Sequence, residues 1–180
     1  MRRRALLMGV KPQLPLIIRV DTTKSGATPS DTFRIPANAP GETYKFKVDW
    51  GDGVVTSNHT GNAEHTYAIG GVYDIKIYGK FPRFYFNNGG DRLKLLEVRD
   101  WGAIKYSTNQ TNAFWGCNNL TFIAEDVKEW YNSITNGQSM FYNNSLTSLP
   151  DSMTLSSLKN GNSMFYNNSL TSLPDSMTLS

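Results

Sequence analysis

The chain has 180 residues, a formal net charge of +3, and 39% hydrophobic, 12% aromatic and 18% charged residues. This composition is too apolar for a disordered chain and too poor in charge for a coiled coil. Cys117 is the single cysteine, which excludes an intramolecular disulfide, and no run approaches the roughly 18 apolar residues of a membrane span. Residues 106–180 contain only Lys128 and Lys159 as basic side chains, so we expect no nucleic-acid partner.

Residues 1–13 form a basic leader. Arg2, Arg3 and Arg4 precede an apolar patch over residues 5–10. The patch is shorter than the apolar core of about 7–15 residues in a secretory signal, and no small-residue cleavage site follows it. We therefore predict a flexible leader before the first strand.

Residues 14–91 show the two-residue alternation of half-buried strands. Apolar and polar side chains alternate over residues 44–50 and again over residues 73–78. Clusters of Gly, Pro, Asn and Asp separate these segments, which is typical of a sandwich of short antiparallel strands. Further strands are predicted at Leu14–Val20, Thr32–Ile35, Val54–Ser57 and Arg83–Phe86.

Three short motifs follow one another in this region: Val48-Asp49-Trp50-Gly51-Asp52-Gly53, His65-Thr66-Tyr67 and Gly70-Gly71-Val72-Tyr73-Asp74-Ile75. In order and spacing they resemble the polycystic-kidney-disease (PKD) domain. The resemblance implies an immunoglobulin-like β-sandwich that acts as a spacer or adhesion module and is not itself an enzyme. We expect Trp50 and Tyr67 to be buried in its core.

The Trp-Gly-Asp-Gly segment is predicted to be a tight turn. Gly51 and Gly53 permit positive φ angles, and the Asp52 carboxylate can accept hydrogen bonds from nearby backbone amides. The alternative is a calcium site built on Asp49 and Asp52, but two carboxylates supply too few of the roughly 6–8 oxygen ligands that calcium takes. We therefore assign no metal and no cofactor.

Residues 92–180 contain an internal repeat. Residues 139–156 recur unchanged as residues 163–180, so the period is 24 residues. A diverged copy lies at residues 113–123, with one extra residue. A period of about 20–29 residues with Leu-x-x-Leu spacing is typical of leucine-rich repeat arrays.

Stacking of the repeats would place like residues above one another, with Phe141 on Phe165. The paired amides Asn143-Asn144 and Asn167-Asn168 then either form a ladder along the stack or satisfy the backbone of its turns. Two apolar ladders extend further towards the N-terminus, and their first members mark a still earlier unit. These ladders are Leu95, Leu120, Leu146 and Leu170, and Val98, Ile123, Leu149 and Leu173.

The pattern Met-Phe-Tyr followed by Ser-Leu-Thr-Ser-Leu-Pro, at residues 140–150 and again at 164–174, resembles the BspA-like leucine-rich repeats. Such repeats occur in bacterial surface proteins and in phage or prophage tail-associated proteins. The resemblance covers residues 92–180, and it implies an extended, surface-displayed interaction module without a catalytic residue. Because no polar terminal unit follows the last repeat, we expect an array that is truncated or covered by a partner.

The sequence offers few groups for catalysis. His65 lies in the PKD-like motif, where a hydrogen-bonded structural imidazole is expected, and Cys117 is expected to be a buried thiol. Glu125, Asp126 and Glu129 form an acidic cluster, but neighbours on one loop rarely face each other across a bound sugar as glycosidase carboxylates do. We therefore predict a protein that is not an enzyme.

Ligand binding is assigned to aromatic side chains of the repeat region. Trp130, Tyr131, Tyr142 and Tyr166 are the candidates, because exposed rings can stack on sugars beside Asn and Ser hydrogen-bonding groups. For Tyr142 and Tyr166, packing in the core is the alternative.

These features predict a mainly β protein, with a PKD-like β-sandwich at residues 14–91 and a short leucine-rich-type solenoid at residues 92–180. The predicted function is non-catalytic adhesion or receptor recognition on a virion or bacterial surface, as a phage or prophage tail or fibre protein. The expected partners are a host-cell or surface protein or glycan, together with a second copy of the chain or a virion assembly partner. Two alternatives stay open: a secreted bacterial surface adhesin, and an accessory binding region of a larger hydrolase.

Overall fold

The computed structural model describes residues 14–126, 128–175 and 177, and the predicted leader at residues 1–13 lies outside them. The strands are β1 (Leu16–Asp21), β2 (Thr32–Ile35), β3 (Lys45–Asp49), β4 (Val55–His59), β5 (Ala63–Thr66), β6 (Val72–Lys80), β7 (Leu95–Asp100) and β8 (Phe122–Ile123). A 3₁₀ turn spans Arg92–Lys94, and a short helix, α1, spans Lys128–Ser133. Within the described residues, no helix has both the length and the apolar character needed to cross a bilayer.

The protein is mainly β, as predicted, and its strands form two sheets. Six strands form one sheet in the order β4–β3–β6–β1–β7–β8, and β2 pairs with β5 in the second. Side chains from both sheets join one hydrophobic core, in a sandwich-like arrangement. The pairings of these strands are antiparallel, except that β7 and β8 run parallel.

Alternation along the strands determines which side chains form this core. In β1, Leu16, Ile18 and Val20 are fully buried, while the residues between them are half-buried. Leu16 lies opposite Ile77 of β6 and Ile18 lies opposite Ile75, so both strands present one apolar face to the interior. Burial of each such side chain stabilises the fold by about 1.5–3 kcal/mol.

Strand β7 pairs with a strand of the sandwich on one side and with a strand of the repeat region on the other. On one side it pairs with β1, where Val98 lies opposite Ile18. On the other side it pairs with β8, where Val98 lies opposite Ile123. Because β8 belongs to the repeat region, the six-stranded sheet continues across residue 91 from the sandwich into the repeats.

The repeats stack on this sheet edge through backbone hydrogen bonds. We call the stacked segments rung 1 (residues 81–100), rung 2 (106–126), rung 3 (134–155) and rung 4 (158–175). The Phe114 N–H of rung 2 donates to the Met140 carbonyl of rung 3 at 2.9 Å. The Phe141 N–H of rung 3 donates in the same way to the Met164 carbonyl of rung 4, also at 2.9 Å.

Each rung places one phenylalanine ring over the next. Phe114 and Phe141 stack at 5.4 Å and 5°, and Phe141 and Phe165 stack at 5.8 Å and 7°. The predicted stacking of Phe141 on Phe165 is therefore confirmed. The column begins in rung 1 with Phe86, whose ring lies 6.4 Å from that of Phe114. Together with the parallel pairing of Val98 with Ile123, this contact places residues 81–100 directly against rung 2.

The predicted strand at Arg83–Phe86 is wrong. This segment joins neither sheet, because its backbone bonds to two different neighbours. The Tyr85 N–H donates to the Pro36 carbonyl at 3.2 Å, and the Phe86 N–H donates to the Ala113 carbonyl at 3.1 Å. Three of its four side chains are buried, so the segment has no solvent face of its own. As part of rung 1, it is hydrogen-bonded to the sandwich through Tyr85 and to rung 2 through Phe86.

A buried ion pair fastens the first loop of the sandwich to rung 1. The side chains of Asp91 and Lys94 are both fully buried, with Oδ1 and Nζ 4.0 Å apart. The Asp91 carboxylate accepts from the Thr28 N–H at 3.0 Å and from the Arg34 N–H at 2.7 Å. Lys94 Nζ donates to the carbonyls of Thr28 and Thr32 at 3.0 and 2.8 Å. Both charges thus have the polar partners that burial requires.

Candidate functional site

A column of aromatic rings runs along the surface of the stack. Trp115, Tyr142 and Tyr166 occupy matching positions in rungs 2, 3 and 4, each directly after the stacked phenylalanine. Tyr142 and Tyr166 stack at 5.0 Å and 19°, and Trp115 meets Tyr142 edge to face at 5.5 Å. Trp115 and Tyr142 are half-buried, and Tyr166 is 61% exposed. We call this column, with the amides of Asn143 and Asn167 beside it, the ladder.

In rungs 3 and 4, residues with positive φ angles flank the segment that carries the ladder tyrosine. In rung 3, Ser139 and Asn143 have positive φ angles of 51° and 56°, and in rung 4 Ser163 and Asn167 have 54° and 53°. Asparagine adopts this left-handed conformation more readily than most residues with a side chain. The two turns bracket each Met-Phe-Tyr segment, so Met and Phe pack against the core while Tyr remains at the surface.

The asparagine pairs have two different roles. Asn167 Nδ2 donates to Asn143 Oδ1 at 2.5 Å, so these residues form an amide ladder. Asn144 and Asn168 instead donate to phenylalanine carbonyls of the preceding rung, at 3.1 and 2.7 Å. The first asparagine of each pair therefore belongs to a ladder of amides along the stack. The second asparagine of each pair instead satisfies the backbone.

The expectation that Trp130 and Tyr131 offer exposed rings is wrong. Trp130 is 8% exposed and Tyr131 is 0% exposed, because both rings pack against Trp101. The Tyr131 hydroxyl donates to the Ala124 carbonyl at 2.7 Å and accepts from Trp101 Nε1 at 2.8 Å. Burial raises the pKa of this phenol. The neighbouring acidic cluster is therefore not confined to a loop: Glu129 lies in helix α1, which carries both rings into the core.

The Trp-Gly-Asp-Gly segment forms a tight turn. Gly51 and Gly53 have positive φ angles of 86° and 92°. The Val54 N–H donates to Asp52 Oδ1 at 3.0 Å, and the Gly51 N–H donates to Asp49 Oδ1 at 3.1 Å. Both carboxylates therefore accept bonds from the backbone of the turn itself.

Trp50 and Tyr67 are buried, as predicted, with 0% and 2% of their surface exposed. The Tyr67 hydroxyl donates to the Trp50 carbonyl at 3.0 Å. The His65 ring stacks on Trp50 at 5.1 Å, and its Nε2 lies 2.7 Å from Asp52 Oδ2. Burial alone would raise the pKa of Asp52, but the hydrogen bonds from His65 and the backbone lower it below its usual value. His65 thus links the turn to the core.

Cys117 and Asp126, which were also singled out in the sequence, lie in structural surroundings. Cys117 is fully buried, and burial raises the pKa of its thiol, so the reactive thiolate is disfavoured. The Asp126 carboxylate accepts from the Trp101 N–H at 3.0 Å, and partial burial together with the adjacent Asp100 raises its pKa. Among the described residues, no three His, Cys, Asp or Glu side chains come together to hold a metal ion.

Trp115 is the member of the ladder that the sequence analysis missed. The signal was present, because residues 113–123 match residues 140–149 and this alignment places Trp115 at the position of Tyr142. The diverged copy has Gly116 where rung 3 has Asn143, so the amide ladder begins only in rung 3.

Comparisons with protein-family models, with curated proteins and with solved structures find no match for this chain. The fold and the ladder therefore define the protein by architecture: a mainly β chain in which a sandwich-like pair of sheets continues into stacked repeats.

Proposed function

We propose that the chain is a non-catalytic recognition module, displayed on a virion or bacterial surface, in which the ladder binds a surface glycan. In this proposal the N-terminal strands are a PKD-like sandwich that serves as a stalk. Rungs 1–4 are a BspA-like leucine-rich solenoid that presents the ladder. The sequence resemblance of both parts to phage and bacterial surface proteins favours a phage tail or fibre as the parent assembly.

The exposed pairing of rings and amides carries the proposal. The Tyr142 and Tyr166 rings lie 5.0 Å apart, and the Asn143 and Asn167 amides join each other beside them. Within the described residues, neither tyrosine hydroxyl takes part in a hydrogen bond. A ring face binds the apolar face of a sugar, and amides and hydroxyls bind its hydroxyl groups.

The repetition of the ladder also supports a polymeric ligand. Tyr142-Asn143 and Tyr166-Asn167 are 24 residues apart in identical segments, so adjacent rungs present the same chemical groups. A glycan chain repeats its own units, so one chain can engage two rungs at once. Such double engagement strengthens binding without any new type of contact.

The test is a glycan array probed with the full chain and with a Tyr142→Ala/Tyr166→Ala variant. Loss of two stacking rings should weaken binding by about tenfold or more. Phe122→Ala is the matched control, because Phe122 is a 50% exposed aromatic residue of the same stack that lies outside the ladder. Binding of uncharged glycans that survives in the double variant, or that falls equally in the control, would refute the proposal.

A further inference from the structure

Lysine side chains crowd one region of the outer face of the six-stranded sheet. Lys45 and Lys47 lie on β3, and Lys80 lies on β6. The antiparallel register places Lys45 directly opposite Lys80, and Lys47 opposite Tyr78. All three lysines are exposed. The sheet thus brings three positive charges together on two adjacent strands.

These charges lack acidic partners. Among the described residues, none of the three lysines forms an ion pair with a carboxylate, whereas nearby Lys76 pairs with Asp49 at 3.5 Å. Lys47 Nζ instead lies over the Tyr78 ring, 4.6 Å from its centre. Like charges directly opposite on neighbouring strands destabilise a sheet. The arrangement therefore costs stability that no local ion pair restores.

Protection of a sheet edge does not explain the lysines. Proteins place lysine on edge strands to block pairing with other chains. Here the edge strand is β4, which contains no lysine, while β3 and β6 both lie inside the sheet. The position of the lysines needs another explanation.

A pocket lies beside Lys45 and Lys47 and includes a bulge of the edge strand. Its volume is about 390 Å³, and Lys45, Lys47, Ser57, Asn58 and Tyr78 contribute to its lining. This volume falls within the roughly 300–1,000 Å³ of small-molecule sites. The pairing of β3 with β4 is shifted so that Ser57 and Asn58 together lie opposite Lys47, and Asn58 has a φ of 64°. Such bulges redirect side chains, often beside binding sites.

We propose that this pocket binds a negatively charged sugar unit of an anionic polysaccharide. The ammonium groups of Lys45 and Lys47, which line the pocket, would hold a carboxylate or sulfate, and the cation–π contact with Tyr78 keeps Lys47 in place. Lys80 lies outside the lining, where its ammonium donates to the Thr43 hydroxyl, and adds positive charge beside the pocket. The Ser57 hydroxyl and the Asn58 amide are available for sugar hydroxyls, since neither forms a side-chain hydrogen bond with another described residue. This site shares no residue with the ladder.

The same face is poorly suited to nucleic acid. Binding of single strands relies on successive exposed rings on which bases stack. Tyr78 is half-buried, and Lys47 lies over its ring. Further along the same face the positive charges are neutralised, because Asp74 pairs with Arg19 and Arg99, and Glu97 pairs with Arg99. A phosphate backbone that crosses these strands would therefore find no continuous row of unpaired positive charge.

The experiment measures binding of the full chain to polygalacturonate, heparin and neutral dextran at about 0.1 M NaCl, where exposed charges still act over about 10 Å. The test variant is Lys45→Gln/Lys47→Gln/Lys80→Gln. The matched control is Lys24→Gln/Lys105→Gln/Lys159→Gln, which removes the same charge from exposed lysines elsewhere. Thermal unfolding verifies that both variants are folded.

We expect binding to at least one of the two anionic polymers, with a Kd raised at least about tenfold in the test variant and little changed in the control. Asn58→Asp, which tolerates the same backbone conformation, should weaken binding further by placing a carboxylate in the pocket. Equal losses in the test variant and the control would overturn the proposal, as would equal affinity for dextran.

A single-stranded oligo-dT of matched charge gives the remaining comparison. If it binds as tightly as the polysaccharide and depends on the same lysines, the face is a nucleic-acid surface and the proposal is wrong. Tyr142→Ala/Tyr166→Ala should leave binding at this pocket unchanged. Failure of the lysine site and failure of the ladder are therefore distinguishable.

Discussion

Phe141 and Phe165 occupy the same position in two identical segments, and their rings stack 5.8 Å apart, but their burial differs. Phe141 is fully buried, because it also stacks on Phe114 at 5.4 Å. Phe165 is only half-buried, with one stacked ring among its described neighbours. Because the local sequence is the same, comparing the two residues shows how much a second neighbouring rung adds to the burial and stability of this ring.

We expect Phe141→Ala to lower the free energy of unfolding by about 3–5 kcal/mol, as for a fully buried ring. Phe165→Ala should cost about half as much, because part of its surface is already in water. Urea denaturation of the full chain measures both. Leu146→Ala and Leu170→Ala repeat the comparison, since Leu146 is 1% exposed and Leu170 is half-buried. Equal losses of unfolding free energy within each pair would show that the second neighbouring rung adds no stability.

Gly51 and Gly53 provide a second matched pair. Both have positive φ angles, so alanine at either position is strained by about 1–2 kcal/mol. A Cβ at Gly51 would lie 2.6 Å from the Asp74 carbonyl oxygen, whereas a Cβ at Gly53 meets nothing within 4 Å. We expect Gly51→Ala to cost at least about 1 kcal/mol more than Gly53→Ala in urea denaturation. A larger loss for Gly53→Ala would show that the turn is not held against β6.

Removal of Asp91 should be among the most destabilising polar substitutions. Asp91→Ala leaves the Lys94 ammonium buried without its carboxylate and removes the acceptor for two backbone N–H groups. Loss of one partner from a buried pair costs about 3–5 kcal/mol. Glu64→Ala is the control, because the Glu64–Arg34 pair is exposed and such pairs contribute about 1 kcal/mol or less. Similar losses of unfolding free energy in the two variants would rule out a special role for the buried pair.

Asp74 joins three strands on the outer face of the sheet. Its carboxylate accepts two hydrogen bonds from Arg19, at 2.9 and 3.0 Å, and one from Arg99 at 2.9 Å. The bonds from Arg19 lower the pKa of Asp74 below its ordinary 3.8, and partial burial opposes them only in part. A lowered carboxyl pKa adds stability that is complete above pH 3.8 and is lost as the pH falls through the folded-state value.

The free energy of unfolding should therefore differ between the native chain and Asp74→Asn by a steady amount from about pH 7 to about pH 5. The difference should shrink below pH 3.8, and it should also shrink in high salt, because these groups are partly exposed. Urea denaturation across this pH range measures it. A difference that increases on acidification would mean that folding raises the pKa of Asp74 and does not lower it.

Most strands could be predicted because alternation is a local property. The strand at Thr32–Ile35 has its predicted bounds, and β3 lies within the predicted residues 44–50. The segment Arg83–Phe86 shows the limit of this reasoning: its three consecutive aromatic residues suggest a strand, but its backbone bonds to Pro36 of the sandwich and to Ala113 of rung 2. The pairing of Ile18 with Val98 was also beyond local reasoning, because it depends on contacts between residues far apart in the chain.

The ladder was predictable in part. The repeat placed Tyr142 and Tyr166 at equivalent positions, but periodicity alone left open whether they face the core or solvent. Trp130 and Tyr131 show how adjacent rings can both be buried when a short helix carries them. The lysine pocket required the register of two strands, because a shift of one residue would separate Lys45 from the face that carries Lys80.

The shared strand β7 has a consequence for synthesis of the protein. A ribosome delivers β1 early, and β6 can pair with it before any repeat has emerged. The other neighbour of β1 lies in rung 1, at residues 95–100, so the nascent sheet keeps an open edge beside Ile18 until that segment leaves the exit tunnel. Once β7 has paired with β1, its other edge is free to pair with β8, which follows it in the chain.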